Sequence, residues 1–379
     1  MKAIKGFKHV ASLPYYFMDG IIYHLAGSLF TPRPTFVCFP VTFRCNSRCQ
    51  MCHIWENPSS IAEMDLQKIE EVFSNRLFRN VEEMVLHGGE PTLRADIKDI
   101  YGIVIRCCPK LKNITSSTNG LKPALVKKRV QEILSVVDPN AVQLTFTVSI
   151  DGLKESHEAI RGIPGGFDRA IETLGVLKGF QQDYPIDVQI ITVIQPQNLS
   201  DLESMEELAK DYDIGIIFQP LMVDTFYHNS SLDPRLQFSR DQVRAYRNFV
   251  EKNLTRSPST RGLFWENYLE MMKGGKRVVP CAYDRYVLSL YPTGEVLPCA
   301  KEDWILFGNV YEKPIDVIWF SKESRKIRKK MRKEVCPTCS FYCGAEYSLS
   351  KEFFTYFNYR LKKAARSLLK RDIQGSAGE

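Results

Sequence analysis

No run of about 18 uninterrupted apolar residues occurs in the 379-residue chain, which excludes a conventional membrane-spanning helix. The opening MKAIKGFKHVASLPYYF has no compact apolar core followed by a small-residue cleavage site. No secretory signal is read there, and a cytoplasmic setting is expected. Repeats at solenoid periods are absent, and no low-complexity tract occurs apart from two basic runs. Hydrophobic residues at 44% and charged residues at 25% match the ordinary globular balance, which excludes wholesale disorder and a collagen-like repeat. Length asks for two or three domains.

The net charge of +7 is concentrated in two places. Residues 322–334 (KESRKIRKKMRKE) carry +6 and residues 351–372 carry +5, leaving the rest of the chain slightly acidic. That is two local patches on an acidic body, not a protein that coats nucleic acid. Aromatic interleaving is missing from 322–334, so a solvated helix face is expected there and nucleic acid is not an expected partner.

Eleven cysteines are present, an odd and clustered set: Cys38, Cys45, Cys49, Cys52, Cys107, Cys108, Cys281, Cys299, Cys336, Cys339 and Cys343. Without an export signal, metal binding is a better reading than a disulfide framework. Two separate metal sites are the economical interpretation. Cys38, inside a predicted strand, and Cys107 and Cys108, adjacent late in a predicted helix, are read as packing residues.

Six short β-rich runs (36–43, 81–87, 111–118, 143–150, 186–194 and 213–219) alternate with segments of helical periodicity near 65–75, 95–107, 122–137, 167–180 and 199–211, with a further helix near 240–254. Strands alternating with helices predict an α/β fold with a parallel sheet. Six units fall short of the eight of a closed barrel, so an open or partial barrel is expected. After residue 275 the pattern changes to short strands and turns, which marks the main boundary.

The segment VTFRCNSRCQMCHIW places Cys45, Cys49 and Cys52 as C-x3-C-x2-C directly after the first predicted strand. Three thiolates can hold a four-iron cubane and leave one iron open. A zinc knuckle is the competing reading, but His53, next to Cys52, is badly placed as a fourth ligand. Further on, GGEP (Gly88, Gly89, Glu90, Pro91), STNG (117–120) and SIDG (149–152) each close a predicted strand.

These four motifs, in this order, resemble the signature of the radical S-adenosylmethionine (radical SAM) superfamily, over about residues 36–345. SIDGLKESHEAIRG is similar to the branch of sulfatase maturases and peptide-modifying enzymes. The resemblance implies a partial (β/α)6 TIM-like barrel, a [4Fe–4S] cluster on Cys45, Cys49 and Cys52, and S-adenosylmethionine chelated at the open iron. It places the methionine ammonium at Gly88, Gly89, Glu90 and Pro91, where the glycines permit close backbone approach and Glu90 is suitably acidic. Ser117 and Ser149 are expected to reach the ribose or carboxylate, and Arg161 to offer its guanidinium fork to the methionine carboxylate. Met51 stands where the superfamily often has an aromatic residue; its polarizable side chain is expected to shield the cluster. Asp151 is read as shaping its turn with Gly152, and His157 as structural. His87 is read as either a strand-packing residue or a neighbour of the cofactor.

Cys281, then Gly294-x4-Cys299, then Cys336-Pro-Thr-Cys339 and Cys343 resemble the SPASM/twitch extensions of the same superfamily, which hold auxiliary clusters. Five cysteines suffice for one auxiliary [4Fe–4S] cluster, expected on Cys281, Cys299, Cys336 and Cys339, with Cys343 spare or replacing one of them. Structural zinc is the competing reading. The implied organisation is an N-terminal amphipathic extension (1–34), a radical SAM partial barrel (35–274), a small auxiliary-cluster domain (275–346) and a basic amphipathic tail (347–379).

In that tail Phe353, Phe354, Phe357, Leu361, Ala364, Ala365 and Leu368 recur at helical spacing, which suits either docking on the protein's own body or peripheral association with an anionic membrane. The expected activity is reductive cleavage of S-adenosylmethionine and hydrogen abstraction from an unactivated C–H bond. An electron donor such as flavodoxin or ferredoxin is expected as partner. A small-molecule, sugar or lipid-linked substrate is the leading expectation. Peptide maturation is the alternative, disfavoured because only about 35 residues precede the barrel. A non-catalytic iron–sulfur or zinc protein is the rival from another class.

Overall fold

The computed structural model describes residues 31–58, 60–229, 234–255, 260–278, 281–342 and 347. Cys343, most of the N-terminal extension and, apart from residue 347, the tail lie outside the described residues.

Six strands, β1 (Phe36–Thr42), β2 (Glu83–Gly88), β3 (Asn113–Thr118), β4 (Gln143–Ser149), β5 (Asp187–Ile194) and β6 (Gly215–Pro220), pair in sequence order, every pair parallel. Between them run α1 (Leu66–Phe73), α2 (Ile97–Cys107), α3 (Pro123–Leu134), α4 (Lys154–Arg161), α5 (Gly166–Asp183) and α6 (Leu202–Asp211). The pattern follows from side-chain alternation. In β5, Val188, Ile190, Thr192 and Ile194 are buried and their neighbours are not. Helix α1 starts where the Asp65 carboxylate accepts the Lys68 N–H at 2.8 Å, and it buries Ile69, Val72 and Phe73. These meet β1, with the Phe39 and Phe73 rings 5.4 Å apart.

Beyond the expected six units, β7 (Val287–Leu290) lies parallel to β1, pairing Phe36 with Val287 and Cys38 with Ser289. An antiparallel ribbon of β8 (Glu295–Leu297) and β9 (Gly308–Asn309) completes the open sheet, in the order β6-β5-β4-β3-β2-β1-β7-β8-β9. All four residues of β7 are buried, which removes the alternation that would have marked it as part of the main sheet.

By density of contact the chain divides into two units. One holds Arg33–Phe249 and Tyr283–Arg332, and therefore the whole sheet and α7 (Arg240–Phe249). The described residues of the other lie in 31–32, 250–278, 281–282 and from 333 onward. Within that second unit, α8 (Thr260–Met272) carries Phe264, whose ring meets Tyr342 edge-on at 4.9 Å and stacks on Tyr268 at 5.9 Å. Chain from beyond residue 275 thus returns to the sheet unit, including the single turn α9 (Tyr283–Tyr286), α10 (Ile315–Trp319) and most of α11 (Lys322–Glu334).

Candidate active site

The C-terminal ends of β1 to β6 converge on one cleft with a volume of about 170 Å3. Side chains from successive strand ends line it, the position at which α/β sheets and barrels gather functional groups.

Cys45, Cys49 and Cys52 form its first wall. Their loop leaves β1 at Thr42 and is fixed there by the Glu63 carboxylate, which accepts from Thr42 Oγ1 at 2.8 Å and from the Phe43 N–H at 2.6 Å. It then docks on the last turn of α4. The N–H groups of Arg48 and Gln50 donate to the carbonyls of Arg161 (3.0 Å) and Ile160 (2.9 Å), and Gln50 Nε2 donates to Ala159 O (2.8 Å). A helix end has carbonyls with no intrahelical partner, and the cysteine loop supplies their donors. On its other side the loop is held by Tyr227 O, which accepts the His53 N–H at 2.8 Å, and by Asn229 Nδ2, which donates to Met51 O at 2.8 Å.

Around the sulfurs, Ser47 Oγ lies 3.1 Å from Cys49 Sγ, the Ser47 N–H donates to Cys45 Sγ at 3.4 Å, and Arg161 Nη1 lies 3.7 Å from Cys49 Sγ. Burial pushes the Cys45 thiol up to about 11 and raises Cys52 further, so these two thiols stay protonated when unloaded and loading would release their protons. Among the described residues no three His, Cys, Asp or Glu side chains are gathered as a single metal ion requires. A cubane takes one thiolate per iron and makes no such demand, so the donor set fits the cluster. Met51 is buried against Cys49, Ile160 and Leu236.

Gly88 and Gly89 line the cleft, and each has a specific packing reason to be glycine. Gly88 has φ +135°, and a Cβ there would stand 2.2 Å from Thr42 O; at Gly89 it would stand 2.3 Å from Arg44 O. Both carbonyls belong to backbone leading into Cys45. Gly89→Ala is therefore expected to displace that loop and to lower the iron content of anaerobically reconstituted protein by about half, if a second cluster accounts for the rest. Gly175→Ala in α5 is the control: a Cβ there meets nothing within 4 Å, so iron should be unchanged and stability should rise by about 0.5–1 kcal/mol. Equal iron in the two variants would refute the argument.

Ser117 and Ser149, one at the end of each of β3 and β4, line the cleft as the resemblance implied. Glu90 and Pro91 do not. The Glu90 carboxylate turns into the protein, where Oε1 accepts from Thr92 Oγ1 (2.6 Å) and Thr118 Oγ1 (3.0 Å), and Oε2 accepts the Asn119 N–H (2.7 Å). Burial raises its proton affinity while those donors oppose the rise. Glu90 ties GGEP to STNG and leaves the backbone around Gly88 and Gly89 facing the cleft.

Arg161 reaches the cleft, but its fork is already occupied. Nε and Nη2 contact Asp151 Oδ2 at 2.7 and 2.6 Å, leaving Nη1 toward Cys49. Burial alone would lower the guanidinium's proton affinity; Asp151 and Cys49 more than reverse this, so Arg161 stays charged. Asp151 therefore does more than shape a turn. Its Oδ1 also accepts the Val193 N–H at 2.7 Å, linking β4, β5 and α4. His157 Nδ1 accepts the Asp151 N–H at 3.1 Å, and burial with the Arg161 charge lowers its pKa to about 3, a neutral structural histidine. His87 also lines the cleft; burial lowers it to about 4, and its ring packs 5.4 Å from Phe226.

Residues not singled out from sequence complete the lining. Asn119 donates to Asn46 Oδ1 at 2.8 Å and lies 3.8 Å from Cys45 Sγ. The lining contributed by β5, β6 and the chain after β6 is mostly apolar: Ile191 and Val193 of β5, then Pro220, Leu221, Met222 and Tyr227, with the amide of Gln219 among them and Trp55 from the cysteine loop. Val193 and Leu221 pack against the cluster of Cys49 and Met51. STNG was a signal for Asn119; nothing local marked the wall after β6. Cys38, Cys107 and Cys108 do not line the cleft. Cys38 lies 3.6 Å from Tyr283 Oη, and burial pushes Cys108 up to about 12.

Of the second cysteine set, Cys281, Cys336 and Cys339 belong to the unit with α8, and Cys299 to the sheet unit. Arg277, four residues before Cys281, donates its N–H to Pro337 O at 2.9 Å and lies with Nη1 3.4 Å from Cys339 O. That bond brings the approach to Cys281 onto the C-x2-C turn.

Comparison with known proteins agrees with this arrangement. The family model described as the radical SAM superfamily matches residues 39–209, and SPASM, described as an iron–sulfur cluster-binding domain, matches residues 277–344. The chain belongs to the SPASM-containing branch of the radical SAM superfamily. As a radical SAM enzyme it uses iron–sulfur and S-adenosylmethionine chemistry. It is 24% identical over 335 residues to the antilisterial bacteriocin subtilosin biosynthesis protein AlbA of Bacillus subtilis, covering 85% of this chain and 69% of the relative. It is also 24% identical over 341 residues to the AdoMet-dependent heme synthase of Methanosarcina barkeri, covering 82% and 90%. The fold is similar to Streptococcus suis SuiB solved with its precursor peptide SuiA, with a TM-score of 0.55 at 16% identity over 86% of this chain and 70% of that one. No helix among the described residues is long and apolar enough to cross a membrane.

Proposed function

We propose that this radical SAM enzyme matures a peptide, abstracting hydrogen from an unactivated C–H bond of one of its side chains. The observation that carries the reading is the apolar share of the cleft lining. Ile191, Val193, Pro220, Leu221, Met222, Trp55 and Tyr227 present apolar surface with one amide and no charged group, which suits a peptide side chain better than a sugar or a lipid headgroup. The similarity to a bacteriocin biosynthesis protein and to the fold of a precursor-peptide complex points the same way. The leading expectation from sequence, a small-molecule or lipid-linked substrate, thus gives way to its alternative.

In this reading Cys45, Cys49 and Cys52 hold a [4Fe–4S] cluster. Bound there and reduced, such a cluster would supply the single electron needed to cleave S-adenosylmethionine at its sulfonium into methionine and a 5′-deoxyadenosyl fragment. The chain does the rest. Backbone at Gly88 and Gly89 receives the methionine ammonium; Ser117 and Ser149 reach the ribose or carboxylate; Arg161 Nη1 places positive charge where the carboxylate would sit. The apolar wall excludes water from the radical. Cys281, Cys299, Cys336 and Cys339 hold one auxiliary cluster, within a domain over residues 275–346. Flavodoxin or ferredoxin supplies the electron.

The test is anaerobic incubation with S-adenosylmethionine, a reductant and the short peptides encoded beside its gene. A peptide whose mass changes in step with 5′-deoxyadenosine formation is the expected result. Consumption of a small metabolite with every such peptide unchanged would overturn the reading.

A further inference from the structure

Helix α11 presents two unlike faces. At 100° per residue, Ser324, Arg328 and Met331 fall on one arc and are buried. Lys322, Arg325, Lys326 and Lys329 fall on the opposite arc and are exposed, with no ion pair among the described residues and no acidic residue within that arc. Neighbouring charges are already engaged: Arg332 contacts Asp284 at 2.6 Å, and Lys330 lies 4.0 Å over the Trp304 ring. The helix is anchored by the Arg328 guanidinium, which lies 4.3 and 4.2 Å from the ring centres of Phe307 and Trp319, themselves in edge contact, so the four exposed cations sit on a fixed element. Just before the helix, Val317 and Phe320 are 52% and 38% exposed.

Unpaired cations and, two to five residues before them in the chain, exposed apolar side chains are the residue types that make the rim and core of a protein interface. Nucleic acid would use the charge but gain little from valine, and a lipid surface would favour apolar residues along the helix itself. The location favours one kind of partner. Val335 alone separates α11 from Cys336, a proposed ligand of the auxiliary cluster. Radical SAM turnover consumes an electron that an outside carrier has to deliver.

We propose that Lys322, Arg325, Lys326 and Lys329, with Val317 and Phe320, form the docking surface for an acidic, low-potential one-electron carrier protein. The proposal rests on the radical SAM assignment and on Cys336 and Cys339 as cluster ligands. In the step, the reduced carrier loses one electron and an iron–sulfur cluster of the enzyme gains it; no bond forms or breaks. The cations steer the acidic carrier to the surface, so the effect lies in association and fades with salt.

The experiment measures 5′-deoxyadenosine formation by reconstituted full-length enzyme with reduced flavodoxin or with dithionite. In the variant Lys322→Glu, Arg325→Glu, Lys326→Glu, Lys329→Glu, the flavodoxin-driven rate at low salt is expected to fall at least tenfold, with the dithionite-driven rate unchanged. Wild-type flavodoxin-driven rate is expected to fall steeply between 50 and 300 mM salt, as the screening length shrinks from about 14 Å to about 6 Å. An unchanged flavodoxin rate in the variant, or a flat wild-type salt response, overturns the proposal; the second arm holds even where the variant does not fold. Vesicles containing phosphatidylserine that bind wild type but not the variant, with flavodoxin rates equal, would instead assign the surface to a membrane. Failure of the dithionite reaction in wild type would refute the underlying radical SAM reading instead.

Discussion

Cys49→Ala protein, reconstituted anaerobically, is expected to lose S-adenosylmethionine cleavage to background while keeping about four of about eight irons, since the second cysteine set is untouched. Cys49 is the most enclosed of the three cysteines, at 6% exposure, and its sulfur has polar neighbours on two sides, Ser47 Oγ and Arg161 Nη1. Alanine removes the thiolate and leaves both neighbours facing apolar surface. No nearby side chain can replace the ligand: His53 Nδ1 is turned to Glu56 at 2.9 Å, and Asn119 offers an amide. The measurement is 5′-deoxyadenosine with dithionite as reductant, together with iron and sulfide analysis and the reduced-cluster paramagnetic signal with and without S-adenosylmethionine. Persistent 5′-deoxyadenosine would contradict the ligand assignment. Zinc in place of iron in the wild type would contradict the whole reading.

Local pattern was enough for most of the scaffold. The six parallel strands fall within about two residues of the β-rich runs, and each motif does end a strand, because a strand end in a parallel sheet needs turn-forming and small residues just where function is gathered. Helix α4 lies outside the segments that periodicity picks out: it is amphipathic, burying His157, Ile160 and Arg161, but its eight residues span only about two turns and two of the three buried side chains are polar. What stayed hidden depends on partners distant in sequence. Nothing in VLSL announces pairing with β1, whose register is set about 250 residues away. Glu90 was read as a ligand for an ammonium because acidity is visible in a sequence, whereas its four donors from Thr92, Thr118 and Asn119 are not. The glycines of GGEP were assigned to cofactor approach; the structure adds the carbonyls of Thr42 and Arg44, which forbid a side chain before any cofactor is considered.

Asp151→Asn is expected to be the most destabilising single change at the site outside the cysteines, and its combination with Arg161→Met separates structure from binding. Asp151 is fully buried and Arg161 is 9% exposed, so removing one charge leaves the other without its partner in a low-dielectric setting. Loss of one member of such a pair costs about 3–5 kcal/mol. Asparagine can still accept the Val193 N–H, so the loss isolates the charge interaction from that backbone link. Arg161→Met alone leaves Asp151 unpaired and is expected to cost a similar amount. The double variant removes both charges and is expected to be less destabilised than the sum of the singles by more than about 1 kcal/mol, the signature of coupled neighbours. Thermal unfolding of the apo and reconstituted proteins reads this first part. Binding reads the second: with stability largely recovered, the double variant should still bind S-adenosylmethionine at least tenfold more weakly, because Nη1 is gone from beside Cys49. Wild-type affinity in the double variant would make Arg161 a purely structural residue, held in place by Asp151 to anchor the cysteine loop through its backbone carbonyl.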